Sequence, residues 1–254
     1  LALEGRARFV LAREAFFRCR FPEGLESGRQ AVALLEGAGE LWWLGQAQWI
    51  VGINQLFMGQ IAACLESEAR AAALGETLGD ARLKAYAGWT AGFAHACGGD
   101  GAAAIVTCRE AVDQSRDPVN SALARGFLGF AHAVAGEPAA AMEHLANTVE
   151  ELERFGLRKQ EGTFRAFLAE AALAAGERER ARAEANRALA GCVEAEFPFG
   201  AAWAERVLGR LMAREGSLTL AEELLARAAH TFGRIGADLE RARTLRETRA
   251  LVVP

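Results

Sequence analysis

The sequence predicts an all-α fold: a solenoid of about six helix hairpins closed by one further C-terminal helix. Three observations predict it. First, 56 of the 254 residues are Ala and only 5 are Pro. Ala, Leu, Arg and Glu are good helix formers, while the β-favouring Val, Ile and Thr are thin. Second, Gly followed by a polar or charged residue recurs at Gly59, Gly99, Gly136, Gly176 and Gly216, at intervals of 40, 37, 40 and 40 residues. Counting back 40 lands on Cys19, so the first unit lacks this Gly. Third, three columns in the same register are wholly small. They read Ala12, Gly52, Gly92, Gly129, Ala169, Gly209; then Gly24, Cys64, Ala104, Ala141, Ala181, Ala221; then Ala31, Ala71, Ala111, Thr148, Ala188, Ala228. A small residue lets two helix axes approach toward the short end of the usual spacing. A Gly between two helical patterns ends the first helix in a left-handed residue. Each unit is therefore a helix, a tight turn and an antiparallel helix. One such hairpin leaves its apolar face bare, so stacking must supply the core.

The first helices of the pairs are predicted near 2–18, 41–58, 81–97, 120–135, 158–175 and 198–215. Their partners are expected near 22–37, 60–77, 101–116, 138–155, 178–194 and 217–235. Gly37-Ala38-Gly39, Gly79-Asp80, Asp117-Pro118, Phe155-Gly156 and Phe197-Pro198 break the chain between units. Pro118, Pro138 and Pro198 fall at helix starts, where a missing N–H costs nothing. The units run about 1–40, 41–80, 81–117, 118–157, 158–197 and 198–236, with a capping helix at 237–251. No linker interrupts them, so 1–254 reads as one continuous domain. The lack of a leading Met points to an excised or partial chain.

These columns resemble the tetratricopeptide repeat family, whose shorter unit carries small residues at three fixed positions around a turn. The resemblance implies a right-handed α-α superhelix. The usual packing aromatic is missing; its column reads Ala15, Gln55, His95, His132, Ala172, Met212. The unit is also about six residues longer than the family's, so each helix should gain under a turn. This longer form is similar to the arrays of large bacterial signalling proteins of the maltose-regulator and nucleotide-hydrolysing switch type. The ending Ala228–Phe232–Ile235-Gly236-Ala237–Glu240–Ala242-Arg243 carries that looser resemblance. HEAT-type repeats share the period but are not expected to show this Gly turn and small-residue register.

Several functions are disfavoured by composition and motif. A net charge of −4 argues against a general nucleic-acid binder. No stretch approaches the roughly 18–20 apolar residues of a membrane span, and no signal-peptide pattern opens the chain. Five Cys without a C-x-x-C pair point to reduced thiols in a cytoplasmic protein. No phosphate loop, dinucleotide fingerprint, nucleophile elbow or H-E-x-x-H appears, so an enzyme is not expected. Gly98-Gly99-Asp100-Gly101 is read as a turn, because its counterparts in other units are turns. His95 and His132 share one column, near Cys97, and are read as packing residues rather than ligands; no metal or cofactor is expected. The 27 Arg against two Lys reflect a GC-rich composition, so a single Arg carries less meaning here.

In the resembled family, ligands lie along the concave face made by the first helices. Carried over, that face holds Phe9 and Phe16 in unit one; Trp49, Ile53 and Phe57 in unit two; Tyr86, Trp89 and Phe93 in unit three; and Phe130 in unit four. Unit six turns it basic with Arg206, Arg210 and Arg214, which recur every four residues along one helix face. An apolar stripe of this kind marks a binding surface when exposed, or a core when a tightly wound array covers it. The arginines suit acidic side chains or a peptide carboxylate; otherwise they pair with Glu205, Glu215, Glu222 and Glu223. The resemblance implies a scaffold that grips a protein or peptide segment, including a switch domain of its own larger regulator. A small-molecule effector sensor centred on Trp49, Trp89 and Phe93 is the alternative. A homodimer through an end of the stack stays open.

Overall fold

The computed structural model describes residues 1–252, which form thirteen helices and, among the described residues, no strand. In chain order they are α1 (Ala2–Phe17), α2 (Phe21–Gly37), α3 (Leu41–Phe57), α4 (Ile61–Leu78), α5 (Ala81–Cys97), α6 (Gly101–Gln114) and α7 (Pro118–Val134). Then follow α8 (Pro138–Arg154), α9 (Arg158–Ala174), α10 (Arg178–Glu194), α11 (Pro198–Arg214), α12 (Leu218–Ile235) and α13 (Asp238–Val252). Each expected helix is present, with ends within a few residues of the expected ones.

Turn chemistry explains the regularity. The marker residues Gly59, Gly99, Gly136, Gly176 and Gly216 all have positive φ, between 80° and 88°. Gly39, Gly79, Gly156 and Gly236 do the same between hairpins. At most of these turns the next residue donates its N–H five residues back, as in Gln60 to Gln55 at 2.8 Å and Leu157 to Leu152 at 3.0 Å. That bond satisfies carbonyls orphaned at the helix end. Where Gly is missing, the backbone keeps the conformation anyway: Cys19 sits at φ 54° and Glu196 at φ 52°. One connection departs. Ser115 after α6 is extended, and Asp117 caps α7 by accepting from the Asn120 N–H at 2.9 Å. α6 has 14 residues where α2 has 17, which accounts for the one interval of 37.

The chain clusters into two compact units, Leu1–Ala135 and Gly136–Pro254. In the first, α1/α2, α3/α4 and α5/α6 are stacked hairpins and α7 packs on α5 and α6. In the second, α9/α10 and α11/α12 are the hairpins, with α8 against α9 and α13 against α12. The small columns lie at the helix crossings. Ala12, Ala31, Cys64, Ala71, Ala104, Ala141, Ala181, Ala221 and Ala228 are all fully buried. Space there is so short that a methyl at Gly52 would strike the Glu68 carboxyl, and one at Gly92 the Cys108 thiol. Glu196→Gly should therefore stabilise the fold by about 1 kcal/mol, since it frees an exposed left-handed residue from its Cβ. Urea unfolding of the two proteins measures it, and an unchanged midpoint would contradict the strain.

Candidate functional site

The face of α1, α3, α5 and α7 expected to bind a ligand is built of rings that cover one another. Phe16 meets Phe57 edge-on at 5.1 Å, Phe57 meets Phe93 at 6.1 Å, and Phe93 meets Phe130 at 5.2 Å. One ring thus comes from each first helix. Beside this row, Trp49 stacks on Tyr86 at 4.7 Å and meets Trp89 edge-on at 6.1 Å. Trp89 stacks in turn on Phe127 at 5.0 Å, nearly parallel. Phe9 packs against Trp43 at 5.7 Å. Such rings bury large areas and favour these offset and edge geometries. Trp49 is 7% exposed and Trp89 4%; Phe9, Phe16, Ile53, Phe57, Phe93 and Phe130 are buried as well, while Tyr86 is half-buried. Phe127, absent from the expected set, closes the row because it lies one turn from Phe130 on α7.

Polar groups within this face are unevenly served. The Trp49 indole donates to the Thr90 hydroxyl at 3.1 Å, and Thr90 donates to the Tyr86 carbonyl at 2.8 Å. The Trp89 indole N–H and the Gln46 amide nitrogen are buried and have no hydrogen-bond partner among the described residues. An unmade bond of this kind costs about 1–3 kcal/mol. His95, His132 and Cys97 do not assemble: among the described residues no group of three or more His, Cys, Asp or Glu is placed to hold a metal.

Arg206 and Arg210 of α11 are joined to carboxylates other than Glu205, Glu215, Glu222 and Glu223, and Arg214 to a backbone carbonyl. Arg206 is 3% exposed and binds Glu240 of α13, with Glu170 of α9 at 3.9 Å. Its guanidinium also lies over the Trp203 ring at 4.2 Å. Glu170 accepts from Arg210 at 2.5 Å and from the Trp203 indole at 2.7 Å. Arg214 donates to the Leu173 carbonyl at 2.6 Å. Glu215 pairs with Arg182, and Glu205 with Arg227. The face of α11 carrying these arginines turns toward α9 and α13, so sequence neighbours lie out of reach. Burial opposes the charge on Arg206, but Glu240 and Glu170 outweigh it and hold the group protonated. Burial would push the Glu170 carboxyl up, yet Arg210 and Arg206 bring it below its ordinary value. Burial pushes Glu247 up, against the pull of Arg206 and Arg210.

One buried group had a sequence signal that the motif reading passed over. The column nine residues after each marker reads Gly28, Glu68, Cys108, Leu145, Ala185, Leu225, all apolar except Glu68. Glu68 is 1% exposed, neither oxygen has a partner, and burial pushes its carboxyl well above the ordinary 4.5. The same environment raises the Cys64 thiol, chiefly by burial and then by Glu68.

By sequence, the chain matches no protein-family model and no curated protein. By structure, it is similar to a Rap protein complexed with competence and sporulation factor: TM-score 0.71, 14% identity, 98% of this chain and 75% of that one. The apo form of RapI follows at 0.68 and 12%, over 97% and 85%. Nearly identical TPR-like repeats of a kinesin light chain from Podosopora anserina give 0.52 and 17%, over 74% and 94%. The fold is tetratricopeptide-like. A signal transduction ATPase with a tetratricopeptide repeat sensor from Pyrococcus horikoshii shares it too, at TM-score 0.53 and 12% identity, over 96% of this chain and 42% of that one.

Two outcomes test this tetratricopeptide-like core. Arg206→Met should cost about 3 kcal/mol in urea unfolding, because it removes the buried counter-charge shared by Glu240 and Glu170 and leaves them only the more exposed Arg243 and Arg210. For Glu68, a raised native pKa means stability that is present below pH 4.5 and lost as pH rises toward that pKa. Glu68→Met should accordingly be about 2 kcal/mol more stable than the parent at neutral pH, with the advantage shrinking toward pH 4.5. Thermal melts across that range read it; a pH-independent difference would mean Glu68 is ionised and paired.

Proposed function

We propose that the chain is a non-enzymatic scaffold that binds a protein or peptide segment on the first-helix face of Leu1–Ala135. The carrying observation is the pair of buried, unpartnered donors among the rings, the Trp89 indole N–H and the Gln46 amide. A peptide inserted there supplies carbonyl acceptors to both donors and apolar side chains to the rings, which part to admit it. Phe9, Phe16, Trp49, Ile53, Phe57, Tyr86, Trp89, Phe93 and Phe130 form the contact. In the second unit Arg210 and Arg214, more exposed than Arg206, meet an acidic group of the partner. The similar Rap protein is complexed with competence and sporulation factor, and the similar ATPase uses its repeats as a sensor. By that analogy the chain is the docking arm of a larger bacterial regulator in the cytoplasm, with the partner segment in the same polypeptide or another.

The mutual cover of Trp49, Tyr86, Trp89 and Phe127 also favours a second reading, an enclosed small apolar effector. Peptides selected from a random display library separate the two. The scaffold reading expects peptides that shift tryptophan emission on binding and lose about tenfold in affinity with Tyr86→Ala, while helicity is kept. Selected peptides that bind Tyr86→Ala and Trp89→Leu as well as the parent would overturn it. A co-purified small molecule seen by native mass spectrometry would favour the effector.

A further inference from the structure

A cleft of about 270 Å³ opens between α2, α3 and α4, on a different face of α3 from Trp49 and Ile53. Its floor holds Gln48 and Gln55, which are 7% and 6% exposed. The Gln55 carbonyl oxygen accepts from the Ser67 hydroxyl at 2.8 Å, which leaves its amide N–H groups unused. Gln48 makes no side-chain hydrogen bond to any described residue. At the rim stand Arg29, Arg70, Glu36 and Glu66, all exposed, and none of them is ion-paired among the described residues. Val32 and Val51 complete the walls.

Comparison along the repeat shows how the cleft differs from the equivalent position in later units. The column of Gln48 continues as Gly88, Arg125, Arg165 and Glu205. In units four to six its charged members are served from within. Arg165 binds Glu161 at 2.5 Å and Glu184 at 2.8 Å, Glu205 binds Arg227 at 2.9 Å, and Arg125 donates to Ser121 at 2.8 Å. The register-equivalent cleft between α8, α9 and α10 is larger, about 720 Å³, but its buried Arg165 is satisfied by those carboxylates. At the α2–α4 position the donors face open space instead. These amide donors open onto the cleft and are used by no protein group, so a ligand can take up their bonds.

We propose that this cleft binds a small zwitterion of the α-amino-acid class that carries a neutral amide side chain. Arg29 and Arg70 receive its carboxylate, and Glu36 and Glu66 its ammonium group. The side-chain amide exchanges hydrogen bonds with Gln48 and accepts from Gln55. The volume equals on the order of nine water molecules, the scale of one such amino acid. The site is independent of the first-helix face, and its failure would leave the peptide-binding reading untouched.

Calorimetric titration of the full chain with L-glutamine tests the proposal, with L-leucine and glutarate as comparators. Saturable binding is expected for L-glutamine, with each comparator at least about tenfold weaker. Gln48→Leu removes the amide at nearly constant volume and should weaken glutamine about tenfold. Arg70→Ala, at an exposed rim position that folding does not need, should weaken it comparably. No saturable heat up to about 10 mM, equal affinity for leucine, or affinity unchanged in both variants would each overturn the proposal.

Discussion

The close approach of paired helices at small residues is the constraint on which everything else in this chain depends. Where Gly52 meets Glu68, and Gly92 meets Cys108, there is no space for even a methyl group. Helices held that near bring the side chains flanking each contact together as well. The rings on α1, α3, α5 and α7 are long enough to bridge from one first helix to the next, and so they close over each other. The small columns thus decide where the helices cross, and the crossings decide which aromatics become core.

The same constraint explains why the turns are uniform and where they tolerate exceptions. A repeat held at fixed crossings needs each chain reversal to return at the same height, which a left-handed residue after each helix achieves. Cys19 and Glu196 adopt that conformation without being glycine, so the stacking on either side outweighs a local strain of about 1–2 kcal/mol. The α6–α7 connection solves the problem differently. It gives up three residues of helix, 14 against 17, and replaces the glycine with an Asp-capped, Pro-led start at Asp117 and Pro118.

Electrostatics in the two units are handled in contrasting ways. Around Arg206, buried charge is balanced by Glu170 and Glu240 drawn from other helices, and burial then strengthens the attraction that pays for desolvation. In Leu1–Ala135 the buried polar groups are instead neutral or kept neutral. Burial pushes Glu68 toward its neutral form, and Trp89, Gln46, Gln48 and Gln55 have donors that no protein group uses. The contrast is the reason the ring face and the cleft both lie in the first unit: neutral donors that no protein group uses are there, while in the second Arg206 and Arg210 are engaged mainly by Glu170 and Glu240.

Much of this was legible in the sequence. Glycine spacing and small columns depend on backbone geometry that repeats every unit, so helix number, order and ends followed from period alone. The aromatic stripe was legible as well, since position within a unit places a residue on a helix face. Whether that face stood open was not, because cover is supplied by residues one or more units away, such as Phe127 over Trp89. The partners of Arg206 and Arg210 were equally hidden: Glu170 and Glu240 lie 36 or 34 residues from Arg206, and sequence proximity pointed instead to Glu205 and Glu215. Glu68 sits between the two cases, visible as the lone charge in an apolar column, yet known to be unpaired only from its surroundings. Sequence by itself determined the repeat, because each unit obeys local helix geometry. Tertiary structure decided exposure, charge pairing and the α2–α4 cleft, because each depends on side chains that meet only when units stack.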